Sequence, residues 1–178
     1  MVSGKARLIA NEIIDLYQNH GQFEHVMQLA QVAEMKGYDE DIALAALLQD
    51  IGQVAVAANG SGEAPDEFAE AGADYLREKS FSKKIVRLVE SSIESKRYLA
   101  FKEPSYYEQL AAEEKDLLEK QGGKMYQEEA DAFEKYPLFD DIMAVRKLDQ
   151  ALREERLLPS DVEHFRNSII RHLVKVSY

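Results

Sequence analysis

The residues of this chain that could do chemistry gather around one short stretch, IALAALLQDIGQVA, at positions 42–55. Gln49 and Gln53 stand one helical turn apart with Asp50 between them, so an apolar helix ends in polar groups that face inward. Such an arrangement is common at metal sites, but there imidazole supplies the ligands and a carboxamide is a poor substitute. Asp50 follows an unbroken run of apolar or small residues, so its helix is expected to be deeply buried. A buried carboxylate needs a cation, a set of donors or a raised pKa. Asp149 has a similar apolar setting between Val145, Leu148 and Leu152, with Arg146 and Lys147 as plain ion-pair partners. His25 lies beside Glu24 on a predicted helix, where a structural or surface role competes with metal ligation. His20 adjoins a helix break, and His164 and His172 lie on a polar C-terminal helix where exposure is expected.

Helices must position these groups. The apolar periodicity is close to 3.6 residues nearly everywhere, and no strand-like alternation is evident. The pattern predicts helices at about 2–19, 22–36, 38–52, 65–79, 83–100, 104–121, 126–135, 138–155 and 160–174. Gly21, Gly37, Gly52, Ser80, Pro104, QGGK at 121–124, Pro137 and Pro159 punctuate them. The most loop-like stretch is AANGSGEAPDE at 57–67. No internal repeat or low-complexity linker interrupts the chain, so one all-α domain over 1–178 is expected.

The bulk composition limits the function. The 178 residues can bury a substantial core, and 46% hydrophobic with 31% charged content is that of a globular protein. Thirty-three acids against 22 Lys and Arg give a net charge of −11, which repels phosphate backbones and anionic lipid. Binding to nucleic acid or membrane is therefore not expected, although a local basic pocket could hold a small anion. The absence of cysteine excludes disulfides and thiolate metal sites. The N-terminus carries Asn11, Glu12 and Asp15 instead of a signal-peptide core, and the apolar run Ile42–Leu48 is far shorter than a membrane span. A cytoplasmic protein is expected.

EHVMQLAQVAEMKGYDEDIALAALLQDIGQ at 24–53 resembles the opening of an HD-domain metalloenzyme, which implies an HD-domain helical bundle. GADYLREKSFSKKIVRLVESSIESKRYL at 72–99, LEKQGGKM, VRKLD and VEHFRNSII extend the resemblance to about residues 22–172. They are similar to the phosphonate-degrading, mixed-valent di-iron oxygenases of the 2-amino-1-hydroxyethylphosphonate dioxygenase-like family. The resemblance places the family's metal ligands on His25, Gln49, Asp50, Gln53, Phe68, Ser92 and Asp149. Histidines of the family are replaced at Gln49, Gln53, Phe68 and Ser92, leaving His25, Asp50 and Asp149. The second iron position thus has at most a bridging carboxylate, and di-iron chemistry is not expected.

The resemblance leaves two readings of the remaining set. Gln49 and Gln53 could hydrogen-bond to Asp50 and Asp149 and fill the old cavity with a polar network. His25, Asp50 and Asp149 could instead keep a single divalent metal, with Gln49 and water completing its shell, for a mononuclear phosphohydrolase. The family's phosphonate-holding positions fall on Lys96, Gln121 and Arg146, while Glu114 and Leu117 replace hydroxyl-bearing residues. The expected function is a catalytically degenerate relative, a pseudoenzyme that needs no cofactor and binds a small anion or a protein partner through the old cleft. Lys96 and Arg146 pairing with acids is the plain alternative. In the oxygenases the connection matching LYQNHGQFEH is longer and bears a Tyr–Glu lid. It is shortened here, and the lid role is assigned to neither Tyr17 nor His20. Homo-oligomerisation through a helical face is left open.

Overall fold

The computed structural model describes residues 2–60 and 68–177. Among them every regular element is a helix, as the 3.6-residue periodicity predicts. In chain order these are α1 (Val2–His20), α2 (Phe23–Met35), α3 (Glu40–Leu48), α4 (Ile51–Asn59), α5 (Phe68–Glu78) and α6 (Lys83–Glu90). They continue as α7 (Ser92–Lys102), α8 (Pro104–Glu108), α9 (Ala112–Lys120), α10 (Gln127–Glu134), α11 (Phe139–Arg153) and α12 (Val162–Val176). Most of the loop expected at 57–67 lies outside the described residues, while Ala57 to Asn59 complete α4.

The core runs through α2 and α3, which bury Val26, Leu29, Ala30, Ile42, Leu44, Leu47 and Leu48. Both faces of α3 are apolar because α2, α6 and α11 all pack against it. Its start is well specified: the Asp39 side chain accepts a hydrogen bond from the Ile42 backbone N–H at 3.1 Å. Glu40 and Asp41 add negative charge to that first turn. α2 ends where Gly37 takes φ +79° and the Tyr38 N–H reaches back to the Ala33 carbonyl.

Three predicted helices are broken in the fold. The segment expected at 38–52 stops after Leu48, and α4 leaves at Ile51 toward α5. Gly52 explains where α4 goes. A Cβ there would collide with the Phe68 carbonyl oxygen and fall 2.6 Å from the Gly72 nitrogen, so α4 and α5 meet backbone against backbone. The segment expected at 83–100 breaks at buried Ser91, whose Oγ bonds to the Leu88 carbonyl at 2.9 Å in competition with the helix ladder. The one expected at 104–121 divides into α8 and α9.

By length and mean hydropathy alone, the span Glu40–Asn59, made of α3 and α4, would suffice to cross a membrane. More than half of its most apolar window is buried inside the protein, and Gln49–Asp50 interrupt it. It is thereby accounted for as a core element.

Two long-range contacts then fix the outer helices. Arg97 on α7 donates to the Gly123 carbonyl at 2.8 Å and to Glu129 at 3.0 Å, clamping the turn after α9, where Gly122 and Gly123 both have positive φ. On α12, His172 is buried, contrary to the exposure expected for it, and its Nε2 accepts the Ser82 backbone N–H at 3.2 Å. His164 is exposed as expected and pairs with Glu34.

Candidate functional site

The breaks in the predicted helices open a cleft of about 940 Å³. Gln49 and Asp50 reach it from the α3–α4 break, and Gln53 from the first turn of α4. His25 comes from α2, Lys96 from α7, Tyr106 from α8, Glu114 from α9, and Arg146 and Asp149 from one face of α11. Positions 146 and 149 are three apart, and that spacing puts both side chains on the same side of the helix.

The hydrogen bonding differs from the network expected of the glutamines. Among the described residues, neither Gln49 nor Gln53 makes a side-chain hydrogen bond to Asp50 or Asp149, and Gln53 is exposed. The cleft is therefore open, not filled by such a network. Asp149 is held by other partners: Arg146 Nη2 lies 3.3 Å from Oδ2 and His25 Nε2 lies 3.5 Å from Oδ1. The side chains of His25 and Asp149 are 41% and 39% exposed, so solvent screens their attraction. Arg146 is only 10% exposed and is the better-seated partner.

Asp50 is half-buried at the helix break, just past α3, whose residues Ile42 to Leu48 are all buried as expected. Burial still raises its pKa, His25 opposes the shift, and Asp149 reinforces it. Beneath it, Tyr17 is fully buried and stacks on Phe23 at 5.7 Å. The Tyr17 hydroxyl has no hydrogen-bond partner among the described residues, and burial followed by the Asp50 charge pushes its pKa well up. A side chain so enclosed cannot swing over the cleft.

The cations divide in an unexpected way. Arg146 is paired with Asp149 as the plain alternative anticipated, but Lys96 has no carboxylate within ion-pairing distance among the described residues. Burial lowers the Lys96 pKa to about 8. Arg146 adds to that shift, while Asp50, Asp149 and Glu114 resist it. Glu114 is exposed and turned back to accept the Ala111 backbone N–H at 2.9 Å. Tyr106, whose pKa is raised by burial, completes this wall.

Three positions do not reach the cleft lining. Phe68 starts α5 with its carbonyl against Gly52, Ser92 starts α7 with its carbonyl bonded to Ser95 Oγ, and Gln121 ends α9. Other lining groups escaped the sequence reading: Tyr106 joins from α8 and Arg153 from α11, while Lys147, read only as an ion-pair partner, and His20, read only as adjoining a helix break, line the cleft as well. Tyr106 had one local signal, the helix-starting Pro104 two residues before it.

The donor set can be tested against the di-iron group of the resembling oxygenases. His25, already engaged with a carboxylate, His20 at the far end of α1 on the same cleft wall, and two carboxamides do not make up the donor set of two iron ions. Among the described residues, no three His, Asp or Glu side chains stand together in an arrangement that could hold one metal ion.

No protein-family model matches the chain. It is similar to the 1-hydroxy-2-(trimethylamino)ethylphosphonate dioxygenase (glycine-betaine-forming) of Leisingera caerulea, with 36% identity over 85% of this chain and 79% of that protein. It is also 33% identical to an uncharacterized protein of Acanthamoeba polyphaga mimivirus, over 92% of this chain and 81% of the viral one.

Proposed function

The chain belongs to the family of the Leisingera caerulea phosphonate dioxygenase, and from that premise we propose that it is a member without redox chemistry whose cleft binds a small anion. In this reading the fold is a single HD-type domain that works in the cytoplasm. Gln49, Gln53, Phe68 and Ser92 mark metal ligands that were lost, and His25, Asp50 and Asp149 are what remains of the set.

One observation carries the proposal. The carboxylate at position 149, one of the family's ligand positions, lies 3.3 Å from the Arg146 guanidinium as well as 3.5 Å from His25. A guanidinium at 3.3 Å offsets part of the negative charge that would favour a metal there. Carboxamide oxygens from Gln49 and Gln53 are weak ligands for iron, manganese or zinc, and they do not restore the lost affinity.

The anion side of the proposal rests on the balance of charge. In a protein of net charge −11, Lys96, Arg146, Lys147 and Arg153 converge on one cleft. Lys96 and Arg146 are the inner pair, and both side chains retain donors for phosphonate, phosphate or carboxylate oxygens. Asp50 and Glu114 favour a ligand that is not uniformly negative, because a polyanion would meet them as well.

Metal content by mass spectrometry tests the redox part. The full chain would be purified without chelator and soaked separately in iron, manganese, zinc and magnesium, beside Asp50→Ala. The expected result is well under one equivalent in every soak. Stoichiometric metal in the wild type that is lost in Asp50→Ala would overturn the proposal and favour a mononuclear phosphohydrolase. Calorimetry with methylphosphonate tests the binding part. Heat of binding that weakens on Arg146→Lys is expected, and no heat under any salt condition would sink it.

A further inference from the structure

The best-seated unpaired cation of the cleft suggests a chemistry beyond holding an anion. Lys96 sits on α7, facing α11 across the cleft. Its surroundings include Arg146, a like charge, and the acids Asp50, Asp149 and Glu114, none of which reaches it to form an ion pair among the described residues. Each nearby acid has another claim on it or stands off. Asp149 is held by Arg146 and His25, and Glu114 caps Ala111. The cleft is open to solvent, yet Val54, Leu99, Leu110 and Leu152 give its wall an apolar component.

We propose that Lys96 is a reactive amine that condenses with a small carbonyl compound in this cleft. The Lys96 nitrogen lone pair forms a bond to the carbonyl carbon while the carbonyl π pair moves to oxygen and takes a proton, giving a carbinolamine. Loss of the nitrogen-bound proton and of that hydroxyl as water then leaves a carbon–nitrogen double bond. No oxidant or reductant enters, and one water is released per imine. The cleft is open to solvent, so water can carry the proton between nitrogen and oxygen.

Three features support this assignment. The side chain is directed into a cleft large enough for a substrate, and it is spared the carboxylate that would hold it as an ammonium. Its pKa of about 8 gives a far larger free-amine fraction at neutral pH than a surface lysine has. Most of the side chain remains protonated at pH 7, so anion binding and amine reactivity are compatible on one residue.

The inference goes beyond anion binding and does not depend on it. The test uses the full chain at pH 7 with sodium cyanoborohydride and either propanal, a neutral aldehyde, or glyoxylate, an anionic one. Peptide mapping by mass spectrometry then reads the rate at each lysine. Lys96 is expected to be modified by propanal at least about tenfold faster than exposed lysines such as Lys5 and Lys83. Its rate should level off above about pH 8, where that of an ordinary solvated lysine amine keeps rising. Lys96→Arg, checked for folding by circular dichroism, should lose the fast site alone.

The two aldehydes separate the readings. Fast propanal labelling without any preference for glyoxylate would keep the amine proposal and count against the anion site. Lys96 labelled no faster than surface lysines by either aldehyde, or with their pH profile, would overturn the proposal.

Discussion

Lys84 and Lys96 stand one helix apart, and their settings are opposite. At the start of α6, Lys84 Nζ lies 3.3 Å from Asp41, 3.3 Å from Asp141 and 3.6 Å from Asp39. Burial by itself would lower its pKa, but hydrogen bonds to Asp41 and Asp141 and the nearby charges raise it. One ammonium there ties the start of α3 to α6 and α11. Lys96 has comparable acids in its vicinity but none in reach, and its neighbour Arg146 has taken Asp149. The first lysine is consumed by structure, and the second is left available. The difference identifies the cleft as the place where charge is kept unsatisfied.

The comparison is sharpened most by removing each lysine in turn. Lys96→Met should raise stability at pH 7 by on the order of 2 kcal/mol, because burying an ammonium without a partner is costly. The sign follows from a folded-state pKa lowered to about 8. The lysine's penalty is full below that pH and fades as pH rises through 8 toward the unfolded value of 10.5. Thermal melts of both proteins from pH 7 to 10 should therefore converge. A gap that is constant with pH would break the comparison.

Lys84→Met should act in the other direction. Three carboxylates would face one another without a counterion, and a loss of about 1–2 kcal/mol is expected in urea titrations. The loss should shrink in high salt, where the remaining repulsion is screened. A neutral outcome would mean that solvent already satisfies those acids and that Lys84 is no staple.

A third buried base gives the smallest effect and serves as a control. His172 is lowered by burial, with Asp41 and Glu40 opposing the shift and Lys175 adding to it. A histidine whose folded pKa is depressed supplies stability above its unfolded value of 6.5, and that stability is lost as pH falls. Protonation also removes the acceptor for the Ser82 N–H at the start of α6. Stability should fall by up to about 1 kcal/mol between pH 7 and pH 5 more than in His172→Gln, measured by denaturant titration. Equal slopes for the two proteins would remove His172 from the account.

Much of this was legible in the chain before any coordinates. Apolar residues recurring every three to four positions dictate helices, and Asp39, Gly37 and Pro104 place their ends through chemistry local to a few residues. The spacing of Arg146 and Asp149 likewise put them in reach of each other, since α-helical geometry alone decides that. The resemblance carried by KRYL and QGG extends through Arg97, which clamps the glycine turn.

What the tertiary structure decided depends on groups far apart in sequence. The helix break at Gln49–Asp50 is set against the α4–α5 backbone contact at Gly52 and Gly72, which no local pattern reveals. The same distance hid the burial of His172, since its polar helix gains a lid only from Phe81 and Ser82 of another segment. The partner of Asp149, the missing partner of Lys96 and the entry of Tyr106 into the wall were settled in the same way. Residue types bound what each side chain could do. Which charges meet, and which is left without a counterion, is a matter of distances across the packed helices, because ion pairs and desolvation act over a few ångströms of space and not along the chain.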